Sequence, residues 1–194
     1  VGVGNQKGGV GKTTMTVQLA AALAEKGRTV LIIDLDVNAG ATKHLGVNPK
    51  AFLGSFEMLL GEEEPEHVAI TNTDSDNNLP ENLALIPASR KLEQLEERLR
   101  KKKSKFDDFP LGDILKPCIA KLRGAYDYIF LDTPPSAPLP IIAAYKAADA
   151  FLLVAIPEGL AIEGLDEALN DIKEVRKYGN PEIKLIGLAL GAVD

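Results

Sequence analysis

Four runs of the chain, Thr29–Asp34 (TVLIID), Tyr126–Asp132 (YDYIFLD), Ala150–Ile156 (AFLLVAI) and Lys184–Val193 (KLIGLALGAV), are near-continuous in Val, Ile, Leu and Phe. They lack polar alternation, the pattern of parallel strands covered by helices on both faces. Val1–Gly4 and Leu83–Ile86 are shorter strand candidates. Between these runs the spacing turns helical. Lys12–Lys26 is rich in Ala and Leu and ends at Gly27, a residue suited to a C-cap. Arg90–Lys103 places Leu92, Leu95 and Leu99 on one face, and Gly164–Tyr178 carries Leu165, Ala168, Leu169, Ile172 and Val175 at helical spacing. Asp113–Leu122 and Pro138–Ala148 are further helices, with Pro117 expected to limit or kink the first.

Strand and helix alternate, which predicts an α/β fold: a doubly wound, mostly parallel sheet with helices on both faces, in three layers α/β/α. Thr71–Asn82 (TNTDSDNNLPEN) is polar and without period and is expected to be a loop. There is no internal repeat and no sign of a second domain, so residues 1–194 read as one domain. The chain opens and closes inside apolar runs, and C-terminal elements are expected to be missing.

Composition narrows the function. With 194 residues the chain is long enough for one α/β domain with a sizeable core. The net charge of −6 argues against binding polyanions by bulk charge, so a nucleic-acid contact needs a local basic patch. The single cysteine, Cys118, excludes an internal disulfide and cannot build an iron–sulfur or structural zinc site alone; the chain reads as cytosolic. No signal peptide is visible, and no apolar run reaches the roughly 18–20 residues of a membrane helix. Cys118 lies on an apolar helix face and reads as a core thiol. His44 and His67 lack ligand spacing, and Glu62-Glu63-Glu64 reads as a solvated helix start. Arg98–Lys105 (RLRKKKSK) is the one strong basic cluster: a solvated helix end whose cations suit the C-terminal dipole, or a contact with nucleic acid or an anionic surface. Lys173, Arg176, Lys177 and Lys184 form a looser second cluster.

The candidate chemistry sits at three strand ends. Gly4-Asn5-Gln6-Lys7-Gly8-Gly9-Val10-Gly11-Lys12-Thr13-Thr14 is a glycine-rich loop between a strand and a helix. A literal P-loop has Gly where Gln6 stands, but Gly8, Gly9 and Gly11 supply a backbone whose N–H groups can turn inward on phosphates. Residues Gly8, Gly9, Val10, Gly11, Lys12, Thr13 and Thr14 are therefore the candidate phosphate cradle. Lys12 can reach the β- and γ-phosphates, the Thr13 hydroxyl can ligate Mg²⁺, and the helix adds its positive dipole end. Asp34-Leu35-Asp36 ends a second apolar strand, and carboxylates at strand C-termini of an open sheet face the ligand crevice. Asp132 ends a third, a Walker B-like place for a carboxylate that holds Mg²⁺, followed by the stiff Thr133-Pro134-Pro135.

Lys7-Gly8-Gly9-Val10-Gly11-Lys12-Thr13-Thr14, with its second lysine, resembles the variant Walker A box of the ParA/MinD superfamily. The resemblance covers nearly the whole chain, is generic over Phe52–Gln94, and is tilted toward the ParA/Soj type by the Asn5-Gln6 lead-in and YDYIFLDTPPS. It implies ATP and Mg²⁺ as cofactors and an ATP-dependent homodimer in which Lys7 reaches the partner subunit's nucleotide. Asp34–Gly46 is similar to switch I, where the first aspartate, Asp34, supports the metal shell and the second, Asp36, orients the attacking water. The segment departs from the usual Asp-Pro-Gln-Gly at Val37 and Asn38. Tyr126–Pro135 is similar to switch II, and Pro157-Glu158 to a region near the base and the dimer interface. The implied catalytic set is Lys7, Lys12 and Asp36, and the implied metal set Thr13, Asp34 and Asp132. By resemblance the function is a slow, partner-stimulated ATPase that drives DNA partition or the positioning of cargo, with non-specific DNA and a ParB-like protein as partners. A MinD-like regulator bound to membrane is the alternative, although no amphipathic C-terminal helix lies in these residues. A redox protein like the nitrogenase iron protein needs two cysteine ligands per subunit, and an arsenite-pump ATPase needs a tandem duplication; neither is present. A bacterial tyrosine kinase would carry a tyrosine-rich tail.

Overall fold

The structure is a computed structural model describing residues 1–5, 7–74, 79–102, 111–157 and 159–191, with the side chains of 159–165, 167 and 178 outside that description. Six strands, β1 (Gly2–Gly4), β2 (Val30–Asp34), β3 (Leu83–Ile86), β4 (Tyr128–Asp132), β5 (Ala150–Ala155) and β6 (Lys184–Leu190), form one sheet in the order β3-β2-β4-β1-β5-β6. Every ladder in it is parallel. Period-2 geometry divides β2 between two cores. Leu31 and Ile33 join Ile86, Leu131, Phe151 and Leu153 on one face, while Val30 and Ile32 join Val3, Leu85, Phe130 and Val154 on the other.

The second face is covered by α1 (Lys12–Glu25) through Val17, Ala20 and Ala24. The first is covered by α5 (Leu95–Lys101), α6 (Leu115–Leu122), α7 (Pro138–Ala147) and α8 (Gly159–Tyr178), with Leu95, Leu115, Leu122, Ala144 and Ile172 pointing inward. This is the expected three-layer doubly wound architecture. β1 leads through α1 to β2, skipping the position that β4 fills, so the sheet's strand order reverses beside β1. In open α/β sheets a ligand crevice opens at such a point, outside the strands' C-terminal ends.

Several boundaries differ from expectation for physical reasons. The helix expected over Arg90–Lys103 begins as a 3₁₀ turn at Arg90–Gln94 and becomes α-helical only at Leu95. Pro117 falls in the first turn of α6, where a helix has no partner for the missing N–H. That shortens the expected Asp113–Leu122 to Leu115–Leu122, preceded by a 3₁₀ turn at Leu111–Asp113. α8 begins five residues ahead of the expected Gly164. Of three short helices, α2 (Gly40–His44) and α3 (Ser55–Leu59) had no counterpart in the pattern, and α4 (Pro65–Val68) was foreseen only as a helix start. Glu64 stands at the N-cap of α4, in keeping with the expected solvated helix start.

β6 corrects the reading that all four long runs are buried on both faces. Ile186 and Leu190 are 56% and 55% exposed, whereas β3, the strand at the other end of the sheet, is buried throughout; the strand at this end lacks cover over part of its faces among the described residues. Residues 75–78 of the expected loop, Lys103–Lys105 of the basic run, Glu158 and Val193 lie outside the described residues. Gly54 marks a close approach: a Cβ there would come 1.9 Å from the Pro87 carbonyl oxygen, so only glycine lets α3 lie against the exit of β3.

Candidate functional site

The loop after β1 enters α1 through two glycines in the left-handed region, Gly9 (φ 75°) and Gly11 (φ 91°), a conformation that side-chain-bearing residues resist. Gly11 is the N-cap, so the N–H groups of the first helical turn face outward without intrahelical partners. Val10 is buried in the core and pins the loop's centre, while Gly8, Gly9 and Thr14 stay exposed. Asn5, also buried, ties the loop to the sheet: its Nδ2 donates to the Val154 carbonyl of β5 at 2.7 Å, and its Oδ1 accepts the Lys7 N–H at 2.8 Å. Lys12 Nζ donates to the Lys7 carbonyl at 2.9 Å. Burial pushes the Lys12 ammonium below the usual lysine range, and the carboxylates of Asp132 and Asp36 oppose that shift.

Asp132 meets the loop from β4. Its Oδ2 accepts the Thr13 hydroxyl at 2.8 Å, and its Oδ1 lies 3.2 Å from the hydroxyl of Thr16, which also faces the Lys12 carbonyl at 3.0 Å. Asp34 stands opposite Asp132 in the β2–β4 ladder. Its Oδ2 accepts the Thr42 N–H and hydroxyl at 2.9 and 2.7 Å, and its Oδ1 accepts the Asp36 N–H at 3.1 Å. Asp34 thus holds the following loop and α2 rather than opening into solvent. Burial raises both carboxyl groups, Asp132 to about 7 with help from the Asp34 charge, and Asp34 to about 6 against the pull of its hydrogen bonds. Asp36 is nearly buried, and its Oδ1 accepts the Asn38 N–H at 2.9 Å and Asn38 Nδ2 at 3.0 Å. Ala39 then takes φ 52°, a left-handed conformation at the place where the resembled Asp-Pro-Gln-Gly segment has its glycine. That third departure carries local backbone strain of about 1–2 kcal/mol.

The structure therefore brings Lys12, Thr13, Asp34, Asp36 and Asp132 together around the mouth of the glycine loop, with the Lys7 carbonyl bonded to Lys12 Nζ. Sequence reasoning missed Thr16, Thr42 and Gly40, and saw Asn5 only as a lead-in. Thr16 follows Lys12 by one helical turn, a spacing that could have revealed it. Gly40 lies so near Thr13 that a Cβ would come 3.1 Å from its hydroxyl. Elsewhere, Cys118 is a buried core thiol pushed up to about 11. In the basic run, Arg100 pairs with Glu96, Lys101 with Glu97 and Lys102 with Glu62, in keeping with a solvated helix end. Among the described residues no helix is long and apolar enough to cross a membrane.

The donor set fits Mg²⁺. Thr13 and Asp132 offer hard oxygens beside the phosphate loop, and two buried carboxylates face each other with raised pKa values that a divalent cation would lower. Among the described residues no group of three or more His, Cys, Asp or Glu forms a metal cage. Mg²⁺ is ordinarily bound by one or two protein ligands together with substrate phosphates.

The family described as an AAA domain matches residues 1–185. The chromosome partitioning protein ParA of Myxococcus xanthus (strain DK1622) is 34% identical over 192 residues, covering 99% of this chain and 64% of that protein. The sporulation initiation inhibitor protein Soj of Bacillus subtilis (strain 168) is 34% identical over 196 residues, covering 100% of this chain and 72% of that protein. Among solved structures, cobyrinic acid a,c-diamide synthase from Mycobacterium smegmatis with bound ATP analog and magnesium is similar at a TM-score of 0.86 and 33% identity. That likeness covers 97% of this chain and 70% of the other. The chain spans 64% of the length of the Myxococcus relative. Likeness of this extent runs through the same loop and strand ends that build the site, and by it the chain belongs to the ParA/Soj type of the ParA/MinD superfamily.

Proposed function

We infer that the chain is a Mg²⁺-dependent ATPase of ParA type, in which bound ATP favours a homodimer and hydrolysis releases it, driving DNA partition or the positioning of cargo. The observation that carries this reading is the convergence of Lys12, Thr13 and Asp132 on the mouth of the glycine loop, with Asp36 beside them. In this reading the N–H groups of Gly8–Thr14 cradle the phosphates and Lys12 exchanges its bond to the Lys7 carbonyl for the β- and γ-phosphates. Thr13 and Asp132 would hold Mg²⁺, with Asp34 behind them fixing the loop that carries Asp36; the ion offsets charge on the phosphates.

Asp36 orients a water whose oxygen bonds to the γ-phosphorus as the bond to the β–γ bridging oxygen breaks, and the water's proton ends on the phosphate product. Lys7 belongs to the same half-buried loop and would meet the partner subunit's nucleotide, a cation delivered in trans as arginine fingers are. Names of relatives support a partition role: the Myxococcus protein is a chromosome partitioning protein. Non-specific DNA and a ParB-like stimulating protein are the partners this reading carries.

Phosphate release from ATP with and without Mg²⁺ tests the activity. Lys12→Ala is expected to abolish ATP binding and release alike. Release that persists at the unmodified rate in Lys12→Ala, or that ignores Mg²⁺, contradicts the reading.

A further inference from the structure

We propose that Asn38 is a positioning residue for hydrolysis, holding the Asp36 carboxylate in one orientation; this rests on the role given to Asp36 above. Both donors of Asn38, its backbone N–H and its side-chain amide, converge on the same oxygen, Asp36 Oδ1, at 2.9 and 3.0 Å. A terminal carboxylate turns easily, because its last torsion is broad and roughly two-fold. Fixing one oxygen therefore fixes the other. In the role given to Asp36, the second oxygen is the one that would accept from the attacking water.

The loop around Asn38 is itself braced. Lys43 Nζ donates to the Asn38 carbonyl at 2.6 Å, and the Ala39 N–H donates to the Asp36 carbonyl at 2.8 Å. Below, the Asp36 N–H is anchored on Asp34, whose other oxygen is held by Thr42, and the Thr42 hydroxyl accepts the Ala88 N–H at 3.0 Å. The backbone bond from residue 38 would survive most substitutions. The side-chain amide is what asparagine adds, and it is specific chemistry: a carboxylate in its place would face Asp36 with like charge and no donor.

The test measures phosphate release, ATP affinity by fluorescent-analogue titration, and melting temperature for Asn38→Ala, Asn38→Asp and Asn38→Gln in the full chain, with Asp36→Ala alongside. Loss of positioning is expected to lower kcat about tenfold in Asn38→Ala and further in Asn38→Asp, with ATP affinity held within about twofold. Asn38→Gln, which restores a donor amide, recovers part of the rate. Adding Asn38→Ala to Asp36→Ala costs nothing more, since the two act as one unit. Normal kcat in Asn38→Ala and Asn38→Asp beside a slow Asp36→Ala overturns this proposal alone. Equal losses of affinity, melting temperature and rate place Asn38 in loop folding and also overturn it. Normal turnover in Asp36→Ala removes the underlying reading as well.

Discussion

At the scale of single residues, the site is a problem of charge in a nearly dry place. Lys12 is the cation whose ammonium is pushed down by burial, set against Asp132 and Asp36, while Asp34 lies opposite Asp132 in the sheet. Hydroxyls of Thr13, Thr16 and Thr42 supply the hydrogen bonds that keep two buried carboxylates tolerable. Cys118 shows the same physics in the core. Its buried thiol is pushed up to about 11, so the thiolate that reacts is scarce at neutral pH. A thiol-specific chromogenic reagent should leave Cys118 unmodified in native protein and titrate it fully in denaturant. Rapid modification under native conditions would show that α6 opens.

What could be read from the sequence at this scale was whatever clusters within a few positions. Gly8 to Thr14, Asp34 with Asp36, and Asp132 each announce themselves in a short window at the end of an apolar run. Their partners do not. Thr16 bonds to Asp132 across 116 positions, and Asn5 to Val154 across 149, distances at which no local pattern survives. The reach of Asn38 back to Asp36 is local, but a departure from a familiar motif was legible there only as a difference.

At the scale of elements, long helices and buried strands were legible because their periods repeat. α1 and α7 fell close to their expected bounds. α2, α3 and α4 span five, five and four residues, little more than one turn each, too short for any 3.6-residue period to register. β6 failed differently: its apolar run predicted a strand correctly but could not show that its faces would be left partly uncovered among the described residues. The small helices are fixed by tertiary contacts instead. α3 is anchored by the Ser55 N–H on the Pro87 carbonyl at 2.8 Å, by Glu57 accepting the Gly54 N–H at 3.0 Å, and by Lys91 on Glu57 at 2.7 Å. Because a Cβ on Gly54 would strike the Pro87 carbonyl oxygen, Gly54→Ala is expected to destabilise the fold by about 3 kcal/mol. Thermal unfolding should then fall by roughly 6–12 °C. An unchanged melting temperature would mean that this junction yields freely.

At the scale of the whole molecule, strand order decides function. Placing β4 between β2 and β1 sets Asp132 directly beside Asp34 in the ladder and brings both under the loop that leaves β1. A parallel sheet puts all these C-terminal ends on one edge, so loops distant in sequence meet in one crevice. The proposed switch turns on Lys7 in the loop that leaves β1: in it Lys12 would serve its own nucleotide and Lys7 the neighbour's.

Light scattering of the Asp36→Ala protein, with Mg²⁺ and either ATP or ADP, tests that claim most directly. The account predicts a doubled molar mass with ATP, a monomer with ADP, and loss of the ATP-dependent dimer when Lys7→Ala is added. One molar mass in both nucleotides, or a dimer that Lys7→Ala leaves intact, would contradict it.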